Sequence, residues 1–243
     1  MSDHFKGKDA LGHVAEKQAL GILTSKEVHG LELPGSKHAL LDSARNTFAT
    51  LLILYAILTP LNIDPFPVMA MASVGLTVWL AGRSAWLSWV RLERLHRILA
   101  QEKWEIEHNR PQEREELRVL YGAKGFEGQL LEEVIDVLMA DEGRLLKVMV
   151  QEEMGITLEN IEHPLKQGLY SFFGALISAI LMLSFLSIPY VPLVAGLVAI
   201  SVLSGWAAQQ VDNRIIPASV WSTAIAVVSV GLTYYVTQYF YGR

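Results

Sequence analysis

Five stretches of this sequence stay apolar for long enough to cross a bilayer as helices, and nothing else in the chain limits its fold so strongly. A spanning helix needs about 20 mostly apolar residues. Residues 39–61, 66–90, 169–188, 191–210 and 217–241 all meet that demand. Lipid offers no hydrogen-bond partners, so each segment must satisfy its own backbone groups, which makes it helical. Only Asn62, Ile63, Asp64 and Pro65 separate the first two, which predicts a tight helical hairpin, and Pro189 and Pro192 divide the third from the fourth.

Orientation follows from the cations. Lys6, Lys8, Lys17, Lys26 and Lys37 precede the first stretch, ten Lys and Arg lie between 91 and 163, and Arg214 follows the fourth. The loops at 61–66 and 188–191 carry none. Positive loops stay cytoplasmic, which predicts five spans with the N-terminus in the cytoplasm and the C-terminus outside. The expected location is the inner membrane of a cell, or a vacuole-type membrane in a eukaryote. The first 30 residues mix both charge signs and lack the apolar core of a signal peptide.

Half of the chain is apolar, 51%, which is high for a soluble domain and low for a protein that is nearly all membrane. A polar region must therefore exist, and residues 91–163 supply it, with seventeen of the 25 acidic residues. Leu92, Leu95, Ile98 and Leu99 continue the helical phase of the second span, so that helix is expected to run on into the cytoplasm without a break. Pro111 is expected to start a second helix that ends at Gly122 or Gly125, followed by helices over 129–142 and 144–155. The fold class is thus an all-α integral membrane protein, with five transmembrane helices and a cytoplasmic helical domain inserted between spans two and three. Its parts are a cytoplasmic N-terminal segment (1–38), spans one and two (39–90), the inserted domain (91–163) and spans three to five (164–243).

Composition excludes several functions. A net charge of -5 argues against nucleic acid, whose phosphates need a basic face. With no cysteine, thiolate catalysis and Cys-built zinc sites are ruled out, and any metal must be held by carboxylate, imidazole, thioether or backbone oxygen. There is no phosphate-binding loop, no Ser/His/Asp order and no nucleotide signature, so neither ATP-driven chemistry nor an organic cofactor is expected. His4, His13, His29, His38 and His96 lack ligand spacing, and the tyrosines near the C-terminus read as an interfacial aromatic belt.

Within the insert, Glu102 and Glu105 share one helix face, Glu113 and Glu116 a second, and Met149 and Glu153 a third. Like charges at that spacing repel by a few tenths of a kcal/mol per pair, and a divalent cation would remove the repulsion. A thioether beside carboxylates suits a borderline ion such as Fe²⁺ better than Ca²⁺. The opposing reading is a solvated face of good helix formers neutralised by Lys103, Arg110, Arg114 and Arg118. Di-iron bundles need two Glu-x-x-His motifs on different helices plus two further Glu, and among the paired glutamates only Glu105 is followed at that spacing by a histidine, His108.

The combination of EKWEIEHNRPQEREELRVLYGAKGF, VMVQEEMGI and HPLKQGLYSFFGALI resembles the vacuolar iron transporter family, closely over residues 91 to about 190 and by topology elsewhere. That resemblance implies a homodimer in a lipid bilayer that exchanges cytosolic Fe²⁺ or a similar divalent ion for protons, the ion being substrate. It implies a metal-collecting site of Glu102, Glu105, Glu113, Glu116, Met149 and Glu153, with Asp42 on the ion pathway. Asp42 also reads as an ion pair with Arg45, three residues on. The sequence departs from the family in span two, where Arg83 stands in a region that usually carries a Met and an acidic residue. Two unit charges ~4 Å apart at an effective dielectric of ~20 interact by about 4 kcal/mol. Arg83 thus either modifies the pathway, pairing with Asp42 in a divergent, bacterial-type member, or snorkels to the interface. Two other readings stay open: a membrane-anchored metal sensor or buffer, and a scaffold whose acidic helices bind a partner.

Overall fold

A computed structural model describes residues 35–154 and 162–241, apart from the side chains of Glu153 and Met154. The N-terminal segment through residue 34, with Lys6, Lys8, Lys17 and Lys26, lies outside the described residues. Within them the chain forms eight helices and no strand: α1 (Ser36–Leu58), α2 (Pro65–His108), α3 (Arg110–Ala123), α4 (Gly128–Met139), α5 (Glu142–Met154), α6 (Pro164–Ser184), α7 (Val191–Gln209) and α8 (Ile215–Tyr241). They fall into two compact units, one built on Val90–Ile161, the other on Glu32–Trp89 with Glu162–Arg243.

Four helices, α2, α6, α7 and α8, are long and apolar enough to cross a membrane. Helix α1 has the length, but Lys37, His38, Asp42, Arg45 and Asn46 crowd its first half and lower its mean hydropathy. It is nevertheless deeply packed, against α6, α7 and α8. Ala39, Leu51 and Leu52 are fully buried, and Phe48, Leu51, Leu52, Met69, Met182 and Ile200 share one apolar core.

Between apolar helices in lipid, close approach of small residues replaces the hydrophobic drive. Gly174 of α6 shows this, since a Cβ there would collide with the Leu40 carbonyl oxygen and the Ser43 hydroxyl of α1. Gly168 lies against Ala81 and Ala85 of α2, and Gly196 of α7 against Leu52. The ends of α1 and α7 close alike. Asn62 and Asp212 adopt left-handed backbone (φ 54 and 53), and Ile63 and Asn213 donate N–H bonds to the carbonyls of Leu58 and Ala208. This is the six-to-one bond that satisfies a helix's last carbonyls, and Asn and Asp tolerate the conformation better than bulkier residues.

Helix α2 runs unbroken for 44 residues, far more than the ~20 a span requires. Its buried positions Met69, Ser73, Thr77, Leu80, Ser84 and Leu87 recur at helical spacing, so one face packs while Met71, Val78 and Trp79 stay exposed. The other unit is small and has its own core of Ile106, Leu117, Ile135, Leu145 and Met149.

Candidate metal centre

The site forms where α2 gives way to α3. Asn109 is the single residue between them. Its N–H bonds to the Glu105 carbonyl at 2.7 Å, and its own carbonyl accepts from Gln112 and Glu113, so the two helices join without a spacer. Pro111 sits in the first turn of α3, where its missing N–H is not needed. The last turns of α2 and the first turns of α3 thereby present Glu102, Glu105, Glu113 and Glu116 from two helices.

All four side chains are buried, none more than 1% exposed. Glu102, Glu105 and Glu113 each offer a carboxylate oxygen, and those three oxygens lie within 4.8 Å of one another. Glu116 is equally buried, one turn further along α3, but outside that group of three. Glu102 Oε1, both oxygens of Glu113 and Glu116 Oε2 are sealed from solvent.

The electrostatics divide the set. Glu113 stands in the first turn of α3, where the helix dipole favours a negative charge. Glu105 lies near the C-terminal end of α2, where the dipole opposes one. Two carboxylates 4.8 Å apart repel by roughly 3–4 kcal/mol at an effective dielectric of ~20. A bound dication, or a proton on one of them, relieves that repulsion.

Four cations of the same unit pair with other carboxylates. Lys103 pairs with Glu107, Arg110 with Glu142, Arg114 with Glu132 and Asp136, and Arg118 with Glu115 and Glu132. Hydrogen bonds from Arg118, then Arg114, hold the Glu132 carboxyl at about 2. The solvated-face reading therefore describes Glu107, Glu115, Glu132 and Glu142, which are exposed or half-exposed, and not the four buried glutamates.

Met149 is fully buried in the same unit, in the apolar core with Ile106 and Leu117, each next in sequence to a site glutamate. Glu153 lies one turn beyond it on α5, with a side chain outside those described. Gln101, which the sequence did not single out, donates to Glu105 Oε1 at 3.0 Å; its only signal was the four-residue spacing. His108 is exposed, stacks on Trp104 at 4.5 Å and bonds through Nδ1 to the Trp104 carbonyl, so the Glu-x-x-His pattern does not bring its ring into the group of three.

In the other unit Asp42 is tied within its own helix. One oxygen accepts from Arg45 at 2.7 Å and the other from Asn46 at 3.0 Å. Arg83 is half-buried on α2. Glu162, also missed, accepts from the backbone N–H and the hydroxyl of Ser36 and pairs with Lys166, capping α1 from the start of α6. Lys166, and then Ser36, hold the Glu162 carboxyl below the usual carboxylate range.

Compared with known proteins, residues 66–243 match the sequence profile of the VIT family, which takes in α2 to α8 and leaves α1 outside. No curated protein matches the chain.

Proposed function

The chain belongs to the VIT family of vacuolar iron transporter-like membrane proteins, and from that premise we propose that it is a homodimeric antiporter moving Fe²⁺, or the similar Mn²⁺, out of the cytosol in exchange for protons. Membrane transport of a metal ion is the activity that membership brings. The observation that carries the finer reading is the meeting of Glu102, Glu105 and Glu113 in a buried group whose oxygens lie within 4.8 Å. A set of hard carboxylates with a thioether suits a borderline dication, and in this reading Glu116, Met149 and Glu153 complete the collecting site.

In this account α1 is the fifth span, shielded from lipid by α6, α7 and α8, with the N-terminus cytoplasmic and the C-terminus outside. Metal captured by the inserted unit passes to Asp42, and protons entering from the acidic side compete for the same carboxylates and couple the two fluxes. Replacing Arg83 with Met is expected to speed transport, because a fixed cation near the route opposes a dication. The test is purified protein in vesicles loaded with a divalent-metal dye. Fe²⁺ uptake that grows with the pH gradient and falls in Glu102→Ala plus Glu116→Ala supports antiport. No uptake with or without a gradient defeats it.

One observation favours a second reading, a membrane-anchored metal sensor or buffer: both oxygens of Asp42 are engaged by Arg45 and Asn46. That reading predicts tight Fe²⁺ binding by a protein whose vesicles stay inert.

A further inference from the structure

Gln101 stands one turn before Glu105 on α2 and is exposed, whereas Glu105 is buried. Helical side chains lean toward the N-terminus, so Glu105 reaches back over the turn that carries Gln101 and Glu102. The Gln101 amide meets it there, with Nε2 donating to Oε1 at 3.0 Å. An ionised carboxylate only accepts hydrogen bonds, so the NH₂ end of the amide is the end that faces it. The backbone is fixed at the same residue, because the Glu105 carbonyl accepts from the Asn109 N–H at 2.7 Å. Glu105 is therefore held twice, its main chain by the junction with α3 and its side chain by Gln101.

Two features set this bond apart from an ordinary surface pair. Of the three glutamates whose oxygens converge, Glu105 lies in the last turn of its helix, where the dipole opposes a negative charge. A donor to the charged carboxylate offsets that opposition. The donor is also neutral. Lys103, Arg110 and Arg118 pair with Glu107, Glu142 and Glu132, and a cation of that kind beside Glu105 would repel an incoming dication. An amide orders the carboxylate without adding that repulsion.

We propose that Gln101 is a positioning residue of the metal centre and sets its ion preference: by holding Oε1, it makes Glu105 a ligand that gives the ion one oxygen, Oε2. Ca²⁺ takes roughly six to eight oxygens and accepts a carboxylate through both. Mn²⁺ is satisfied by an octahedron of single oxygens, so a carboxylate restricted to one favours Mn²⁺ over Ca²⁺. The proposal rests on the metal reading above and adds the residue that shapes one of its ligands.

Its test titrates the full chain, purified in detergent, with Mn²⁺ and separately with Ca²⁺ in a calorimeter. Gln129 supplies the control, since it makes the same four-residue bond to Glu133, at 2.8 Å, on the exposed side of α4. Loss of an outer partner of a metal ligand typically costs roughly 10–100-fold in affinity. Gln101→Ala should therefore weaken Mn²⁺ at least tenfold and Ca²⁺ by less, narrowing the preference, while Gln129→Ala leaves both unchanged. Damage to the fold would lower both ions alike, so the split between them isolates positioning. Thermal melting confirms that the variants are folded, and Gln101→Met, which keeps the length but has no donor, takes the place of Gln101→Ala if that one is not. Equal losses for the two ions, or Mn²⁺ bound as tightly as by wild type, would overturn the proposal and leave the metal reading intact, because wild type still binds. Wild type that takes up no Mn²⁺ would overturn both.

Discussion

A carboxylate oxygen of Glu105, near the end of α2, lies within 4.8 Å of one from Glu113, in the first turn of α3, and both side chains are buried. Burial of like charges at that range destabilises a fold unless a cation or a proton enters. In the proposed function that repulsion favours a dication, which yields the first prediction.

Glu113→Gln should raise the stability of the metal-free protein and lower its affinity for Fe²⁺ at least tenfold, ~1.4 kcal/mol in binding. Wild type at 100 times its dissociation constant gains about 2.7 kcal/mol from the ligand. Thermal melts with and without Fe²⁺ read both effects. A variant less stable than wild type when empty would show that the charges are not in conflict.

Met149 separates packing from ligation. Met149→Ala should cost about 2–5 kcal/mol, the range for emptying a fully buried site. Met149→Leu keeps the volume, costs less than ~1.5 kcal/mol, and should lower the preference for Fe²⁺ over Ca²⁺ in competition calorimetry. Unchanged selectivity in Met149→Leu would make Met149 a core residue only.

Acid should loosen the inserted unit in a defined window. Arg118 and Arg114 hold Glu132 at about 2, below its ordinary 4.5. Because the folded value is depressed, the associated stability is complete above 4.5 and disappears as the pH falls toward 2. The difference in melting temperature between wild type and Glu132→Gln should be constant from pH 7 to about 5 and shrink below that. A difference that stays flat down to pH 2 would contradict the pairing.

Gly174→Ala should lower folded yield and stability, because its Cβ meets the Leu40 carbonyl of α1, and overpacking typically costs 1–3 kcal/mol. Gly231→Ala, on α8 with nothing within 4 Å, should be neutral or mildly stabilising. Melting of the two in the same detergent compares them, and equal behaviour would argue that α1 and α6 are not closely packed.

Local features were readable where neighbours in sequence decide them. The phase of Leu92, Leu95, Ile98 and Leu99 announced the unbroken α2, and the three-residue spacing of Asp42 and Arg45 announced their ion pair. Helix α6 starts at Pro164, five residues before its apolar run, because Pro preorganises the first turn and Gln167 finds a buried place there. The glutamate pairs were visible as spacings, but their burial was not. It depends on how α3, α4 and α5 close over Ile106 and Leu117, contacts between positions far apart in sequence. The same distance hid the cap of Glu162 on Ser36.

The most direct test is anomalous diffraction from crystals of the full-length protein soaked in Mn²⁺ or Fe²⁺. The account predicts a peak among Glu102, Glu105 and Glu113, about 2.0–2.2 Å from their carboxylate oxygens, and its loss in Glu113→Gln. Density for metal only elsewhere, with those three carboxylates unliganded in a metal-saturated crystal, would contradict it.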